Sequence, residues 1–354
     1  MRVIHLNADR GIGPKRSKGA AVHLRAMREA FAKLGAEVVA IDEANAEKVS
    51  SLLEETLRQG PVELVYERLS LNAFAGGEFA RRHGLPHVLE VNAPLDEEAA
   101  RYRADASPEV DADRMGELVR GARLVLCVSN ECAEWARRKG AQDDRVVVAG
   151  NGVDTARFHP SRRDELPSSV DIPTDAFVIG FHGRLRPWHG FERLVAATKD
   201  LVERGLPVHL LMIGKGEYAE AVRGVLPRDR WTHVPWVDHD DVGSYVARYD
   251  VLPLSYDPSL PCYFSPLKLL EGMAAGAVAV VPDLGDLAST VQDGRAGLIY
   301  DPNDDGALAQ AIAQLHADPD SRAALVAEGR RVAKEHSWIS IAELVLNYVE
   351  EGVR

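Results

Sequence analysis

Cysteine is scarce: Cys127, Cys132 and Cys262 are the only three in a chain of 354 residues. An odd count without zinc-ligand spacing excludes a disulfide framework and a cysteine-based metal site, and Cys127, inside the apolar run 124–128, reads as a small buried hydrophobe. A reducing cytoplasm is the expected location. Positive charge is also in short supply, with 42 Lys and Arg against 54 Asp and Glu, a formal charge of -12. Nucleic-acid binders hold phosphate backbones with a Lys and Arg excess, and no basic stripe with interleaved aromatics is present, so nucleic acid is excluded as a partner. Any phosphate must be met locally. No run of 18 or more apolar residues occurs, so no transmembrane segment is expected, and the opening Met1-Arg2-Val3-Ile4-His5-Leu6-Asn7 reads as a short strand and not a signal peptide. Peripheral contact with lipid-linked substrates stays open. No Asp-x-Asp stands at a strand end with supporting ligands, so no metal is expected.

What is present is an ordinary globular composition, 46% apolar and 27% charged, which excludes disorder and fibrous structure. The length exceeds one core and fits two domains of roughly 150 to 180 residues, hence a cleft. Short apolar runs alternate with helical patterns, the sign of an α/β chain with parallel sheets. Strands are expected at 3–6, 37–41, 64–66, 87–91, 124–128 and 146–148, then again at 177–182, 208–213, 250–254 and 277–281. Between the two series, 159–174 carries Pro160, Pro167, Pro173 and several serines without periodicity, and reads as a linker. The expected division is 1–160 for a first Rossmann-like domain, 161–174 for the linker and 175–335 for a second Rossmann-like domain. Residues 336–354 hold an amphipathic helix that crosses back to the first domain. No strict internal repeat links the halves.

Three stretches can carry chemistry. The turn from Asp9 to His23 contains Gly11, Gly13 and Gly19 ahead of a helix, where backbone N–H groups meet anions readily. Gly11-Ile12-Gly13 lacks the third glycine of a dinucleotide fingerprint, since Arg16 stands there, which speaks against a nicotinamide-dependent oxidoreductase. The turn Gly183-Arg184-Leu185-Arg186-Pro187-Trp188-His189 follows a strand, and a guanidinium beyond the carboxyl end of a parallel strand can fork two hydrogen bonds onto a diphosphate. Two solvated arginines are the plainer alternative. The stretch 261–276 feeds a nearly apolar helix on which Lys268 and Glu271, spaced i and i+3, either pair with each other or face a polar ligand.

Together with Asn151-Gly152-Val153-Asp154 and its sequel Phe158-x-Pro160, the Gly-Arg-Leu turn and Leu270-Glu271-Gly272-Met273-Ala274-Ala275-Gly276 occur in the order and spacing of one family. The chain resembles family 4 of the retaining glycosyltransferases, with the GT-B fold of two Rossmann-like domains whose parallel sheets face across a cleft, and the resemblance covers nearly its whole length. It implies transfer of a sugar from a nucleotide-diphosphate sugar to an acceptor hydroxyl with retained configuration and without metal or cofactor. In the family the Gly-Arg-Leu arginine and a lysine five residues on grip the donor diphosphate, and a later helix glutamate holds the ribose hydroxyls; Arg184 and Glu271 match. Gly19, beside Lys18, corresponds to the loop glycine near diphosphate and acceptor. His23 falls where an aromatic or histidine often stands near the substrates, with a satisfied structural histidine as the alternative. Asn92 occupies the place of a histidine near the transferred sugar. An amide positions a hydroxyl but transfers no proton near pH 7.

Two departures qualify the match. His189 replaces the usual lysine and is largely neutral near pH 7 unless a diphosphate charges it. Lys268 is expected to supply the missing charge. Tyr263 stands eight positions before Glu271, where the family's first glutamate belongs. That leaves Ser265 and the N–H groups of Leu267 and Lys268 as donors to sugar or phosphate oxygens. Competing readings are a sugar-nucleotide epimerase on the same fold and a non-catalytic nucleotide-binding subunit that regulates a partner. The base, sugar, acceptor and oligomeric state leave no trace in the residues.

Overall fold

The computed structural model describes residues 1–9, 12, 19–102, 110–185, 189–216, 219–238, 240–263 and 265–351. Among these residues twelve strands make two six-stranded sheets. The first contains β1 (Arg2–Asn7), β2 (Glu37–Asp42), β3 (Leu64–Arg68), β4 (His87–Val91), β5 (Leu124–Cys127) and β6 (Val146–Val148). They lie in the order β2-β1-β3-β4-β5-β6, all parallel. The second contains β7 (Phe177–His182), β8 (Val208–Ile213), β9 (Trp231–Val234), β10 (Val251–Pro253), β11 (Val278–Pro282) and β12 (Gly297–Tyr300). Their order is β12-β11-β10-β7-β8-β9, again all parallel.

The inner strands are buried along their whole length, which is why they read as continuous apolar runs. Ten of the twelve coincide with the expected runs. The two that do not, β9 and β12, are the edges of the second sheet, where one side lacks a partner and polar or glycine residues are tolerated.

The chain divides into two compact units. The first comprises Met1–Gly152, Tyr263–Ser265 and Trp338–Arg354, and the second Val153–Cys262 and Pro266–Ser337. The changeover thus falls at Val153, ahead of the boundary expected at 160. Val153 N–H donates to the His336 carbonyl at 2.9 Å, which ties this stretch to the second unit. The expected linker is also not featureless. It opens with a 3-10 helix, Pro160–Glu165, which Arg162 anchors by donating to the carbonyls of Arg157 (3.2 Å) and Asp240 (2.9 Å). The final helix, Trp338–Glu351, groups with the first unit and packs on the helix Gly19–Lys33. Tyr348 OH donates to the Asp144 carbonyl at 2.6 Å, and Trp338 sets its ring edge to His23 at 4.7 Å.

Each unit has its own apolar interior. Leu89, Val125, Met115 and Trp135 fill part of the first, and Ile179, Leu210, Phe191 and Ile312 part of the second. Gly180 on β7 lets the fully buried Tyr249 ring lie against the strand, since a Cβ there would come within 2.1 Å of it. Gly180→Ala is therefore expected to lower the unfolding free energy by about 1–3 kcal/mol in urea titrations. Gly121→Ala, at the end of the helix Ala112–Gly121 with nothing within 4 Å of its new methyl, should instead raise it by roughly 0.4–1 kcal/mol.

Candidate functional site

In the second unit, the carboxyl ends of β7 and β8 are pressed together. Gly183, at φ +105°, donates its N–H to the Ile213 carbonyl at 2.8 Å, and a Cβ on Gly214, at φ +135°, would sit 1.8 Å from the Gly183 carbonyl oxygen. Only glycine fits Gly214. The next residue after Gly183, Arg184, is exposed and makes no ion pair or side-chain hydrogen bond among the described residues. Arg186, Pro187 and Trp188 lie outside the described residues.

The helix Leu267–Ala275 brings Lys268 and Glu271 to the same region. They do not pair with each other as an i,i+3 ion pair. Lys268 Nζ lies 3.3 Å from His189 Nε2 and 4.6 Å from the centre of the Phe181 ring. Loss of solvent pulls its pKa from 10.5 down to about 7, opposed by the negative field of Glu271. No carboxylate lies within ion-pair distance of it among the described residues. The Glu271 carboxylate is instead engaged by His182, the last residue of β7, with Nε2 2.9 Å from Oε2. Pro266 precedes the helix and has no side-chain acceptor, and the N–H groups of Leu267 and Lys268 find no acceptor among the described residues. Arg184, Lys268 and a helix N-terminus thus supply positive potential at the carboxyl ends of β7 and β8.

The first unit holds a second cluster, built on Glu90 of β4. This carboxylate is 1% exposed. Arg68 Nη1 donates to its Oε1 at 2.9 Å, His23 Nε2 lies 2.9 Å from the same oxygen, Tyr66 OH donates to Oε2, and the Asn92 amide donates to Oε1. Burial alone would raise its pKa, but His23, Arg68 and the Tyr66 hydroxyl outweigh that and hold it far below the usual carboxylate range. The other His23 nitrogen, Nδ1, is 2.6 Å from Asn151 Oδ1. Asn151 in turn donates from its backbone N–H to Ser265 Oγ at 2.9 Å and from its amide to the Ser265 carbonyl.

Several expected substrate contacts are occupied here by protein groups. His23 is 6% exposed, with Nε2 2.9 Å from Glu90 Oε1 and Nδ1 2.6 Å from Asn151 Oδ1. Ser265 spends its hydroxyl on Asn151, and the Tyr263 ring packs beside the core of the first unit while its carbonyl accepts from Ser129 Oγ. Asn92 commits part of its amide to Glu90 and stays partly exposed. Gly19 opens its helix as expected, whereas Lys18 lies outside the described residues. Among the described residues no three His, Cys, Asp or Glu side chains group as metal ligands.

Sequence reasoning assigned no contact to Glu90, Arg68 or His182, and used Asn151 only as part of a motif. A signal existed for Glu90 and His182: each is a polar residue inside or ending a run that is otherwise apolar, where burial demands a partner. Which partner could not be read from sequence.

Residues 48–157 match the family model described as Glycosyltransferase Family 4, and residues 176–318 match Glycosyl transferases group 1. The chain belongs to glycosyltransferase family 4. Among the relatives of this family 4 chain, a D-inositol 3-phosphate glycosyltransferase of Salinispora tropica is 27% identical over 325 residues, covering 83% of this chain and 65% of that protein. A D-inositol 3-phosphate glycosyltransferase 2 of Catenulispora acidiphila is 29% identical over 281 residues, covering 72% and 63%. The chain spans somewhat under two thirds of the length of these two relatives. In fold, sucrose-phosphate synthase of Thermosynechococcus elongatus is similar at a TM-score of 0.76 and 18% identity, covering 99% of this chain and 98% of that one. HepE of Anabaena in complex with UDP and glucose follows at 0.73 and 17%, covering 99% and 100%. These likenesses assign the family 4 chain the α/β GT-B fold.

Glu90 yields a direct test. Its folded pKa is depressed, so its contribution to stability is present above the ordinary value of 4.5 and is lost as pH falls toward the folded value. Glu90→Gln is expected to cost about 3–5 kcal/mol at pH 7, because Arg68 is left buried without its counter-charge. The variant should also lose part of the acid sensitivity below pH 4.5 seen in urea titrations of the parent.

Proposed function

We propose that this chain is a retaining glycosyltransferase that moves a sugar from a nucleotide-diphosphate sugar to an acceptor hydroxyl. The observation that carries the reading is Lys268: a half-buried amine beside His189, with no carboxylate within ion-pair distance among the described residues. Such a group is stabilised by an arriving anion, and Arg184 stands ready beyond the neighbouring strand end to fork onto the same diphosphate. Glu271 offers a carboxylate on the same helix to the ribose hydroxyls. Family membership and the UDP and glucose held by HepE support a nucleotide sugar as the ligand.

As the glycosidic bond breaks, negative charge grows on the leaving phosphate. Arg184, Lys268 and the first-turn N–H groups of Leu267 and Lys268 stabilise that charge, so the proposal calls for no metal ion. The leaving phosphate takes the acceptor proton, and no protein base is required. Asn92, whose amide is oriented by Glu90, positions a hydroxyl without exchanging a proton. The named relatives make inositol phosphates the first acceptors to assay. No helix among the described residues is long and apolar enough to cross a membrane. The cytoplasm as the place of action rests on the three cysteines, all buried thiols, which suit a reducing compartment.

A thermal-shift panel of UDP, GDP, ADP and their sugars tests the reading. A bound diphosphate at a hundred times its Kd should stabilise the chain by about 2.7 kcal/mol, and no shift with any of them would overturn it. Binding without turnover, across the acceptors assayed, would instead favour a regulatory nucleotide-binding subunit. Lys268→Ala and Arg184→Ala are each expected to weaken diphosphate binding about ten- to a hundredfold by calorimetry.

Proton linkage provides a sharper check. At pH 8 an ammonium with a pKa of about 7 is mostly neutral before binding, and the diphosphate restores its charge. Binding at pH 8 should then take up close to one proton per site, falling to about half at pH 7 and toward none below it. Calorimetry in buffers of different ionisation enthalpy reads this number, and Lys268→Met should abolish it.

A further inference from the structure

We infer that His182 is a positioning residue: its Nε2 holds one oxygen of Glu271, keeps that carboxylate from collapsing onto Lys268, and leaves the other oxygen to receive a vicinal diol of the ribose type. The inference rests on the nucleotide-diphosphate reading above and assigns a role to a residue outside the Gly-Arg-Leu and Glu motifs.

The geometry is specific. His182 ends β7, immediately before Gly183 and Arg184, and is 5% exposed. A carboxylate only accepts hydrogen bonds, so at 2.9 Å from Glu271 Oε2 the ring carries its proton on Nε2. Nδ1 is buried and has no partner among the described residues. A side chain kept only to fill this space would do better without a polar atom left unsatisfied, so the ring is explained by what Nε2 does. Glu271 retains 9% of its surface and the capacity for further donors on its second oxygen.

The alternative partner for Glu271 is one turn away. Lys268 stands at the i-3 position and already feels its field, yet it is directed to His189 and Phe181. An ion pair between the two would silence both at once, withdrawing the acceptor for the diol and the cation for the diphosphate. A neighbour that occupies one carboxylate oxygen prevents that, in the way outer hydrogen bonds orient ligating side chains elsewhere.

The test measures discrimination between ribose hydroxyls. UDP, GDP and ADP, each with its 2′-deoxy and 3′-deoxy form, are titrated into the full chain and into the variants His182→Leu, His182→Met, His182→Gln and Glu271→Gln. The parent should prefer the ribonucleotide that binds best by about tenfold or more over at least one deoxy form, as expected for a hydroxyl donating to a carboxylate. Glu271→Gln and both apolar variants should bring that ratio to within about twofold, while His182→Gln, which keeps a donor at similar reach, should retain most of it. The apolar variants should also lose the proton uptake at pH 8, because Lys268 then pairs with Glu271 before ligand arrives. A merely structural role would weaken ribo and deoxy ligands alike and leave the ratio intact. If Glu271→Gln loses the preference while His182→Leu or His182→Met keeps it, the role of His182 is overturned and the reading of Glu271 stands. If Glu271→Gln itself keeps the preference, or no nucleotide binds, both fall.

Discussion

An ammonium without a carboxylate partner among the described residues governs the second unit. Lys268 is desolvated by the helix it sits on and by the Phe181 ring, and the one carboxylate on that helix, Glu271, is turned to His182. Proteins rarely leave such a charge uncompensated, because the energy is recovered only when a partner arrives. The first-turn N–H groups after Pro266 and the exposed Arg184 side chain add to the same positive potential. They lie together at the carboxyl ends of β7 and β8, where the proposed diphosphate would bind.

The first unit solves the opposite problem. Glu90 is almost wholly withdrawn from solvent, and it is surrounded by donors from β3, from the helix Gly19–Lys33 and from its own strand end. The network runs on through His23 and Asn151 to Ser265, so a segment distant in sequence is hydrogen-bonded into the unit. A hydrogen-bonded network of this kind rigidifies the groups it contains. It also engages them, His23 and Ser265 through protein partners, while Asn92 stays partly exposed at the edge.

The fold was largely legible because buried parallel strands must be continuous apolar runs, and ten of them announced themselves that way. Edge strands such as β9 and β12 need satisfy only one side, so their mixed composition resembles loops. The grouping of Arg184, Lys268 and Glu271 was legible too, since they stand in motifs whose spacing follows from a strand end and one helical turn. The hydrogen-bond partners were not. Lys268 and Glu271 at i and i+3 look like a pair, yet Glu271 is engaged by His182, on a strand 89 residues earlier.

The sequence by itself determined the α/β class, the two series of strands and the residue types able to meet a diphosphate, since periodicity, apolar runs and short motifs are local properties. The tertiary structure alone decided which charges are satisfied and which are left waiting. That depends on side chains brought within 3 Å of one another from distant strands, as Glu90 with Arg68 and His23, or Glu271 with His182. Burial makes those pairings energetically decisive, and burial is a property of the folded whole.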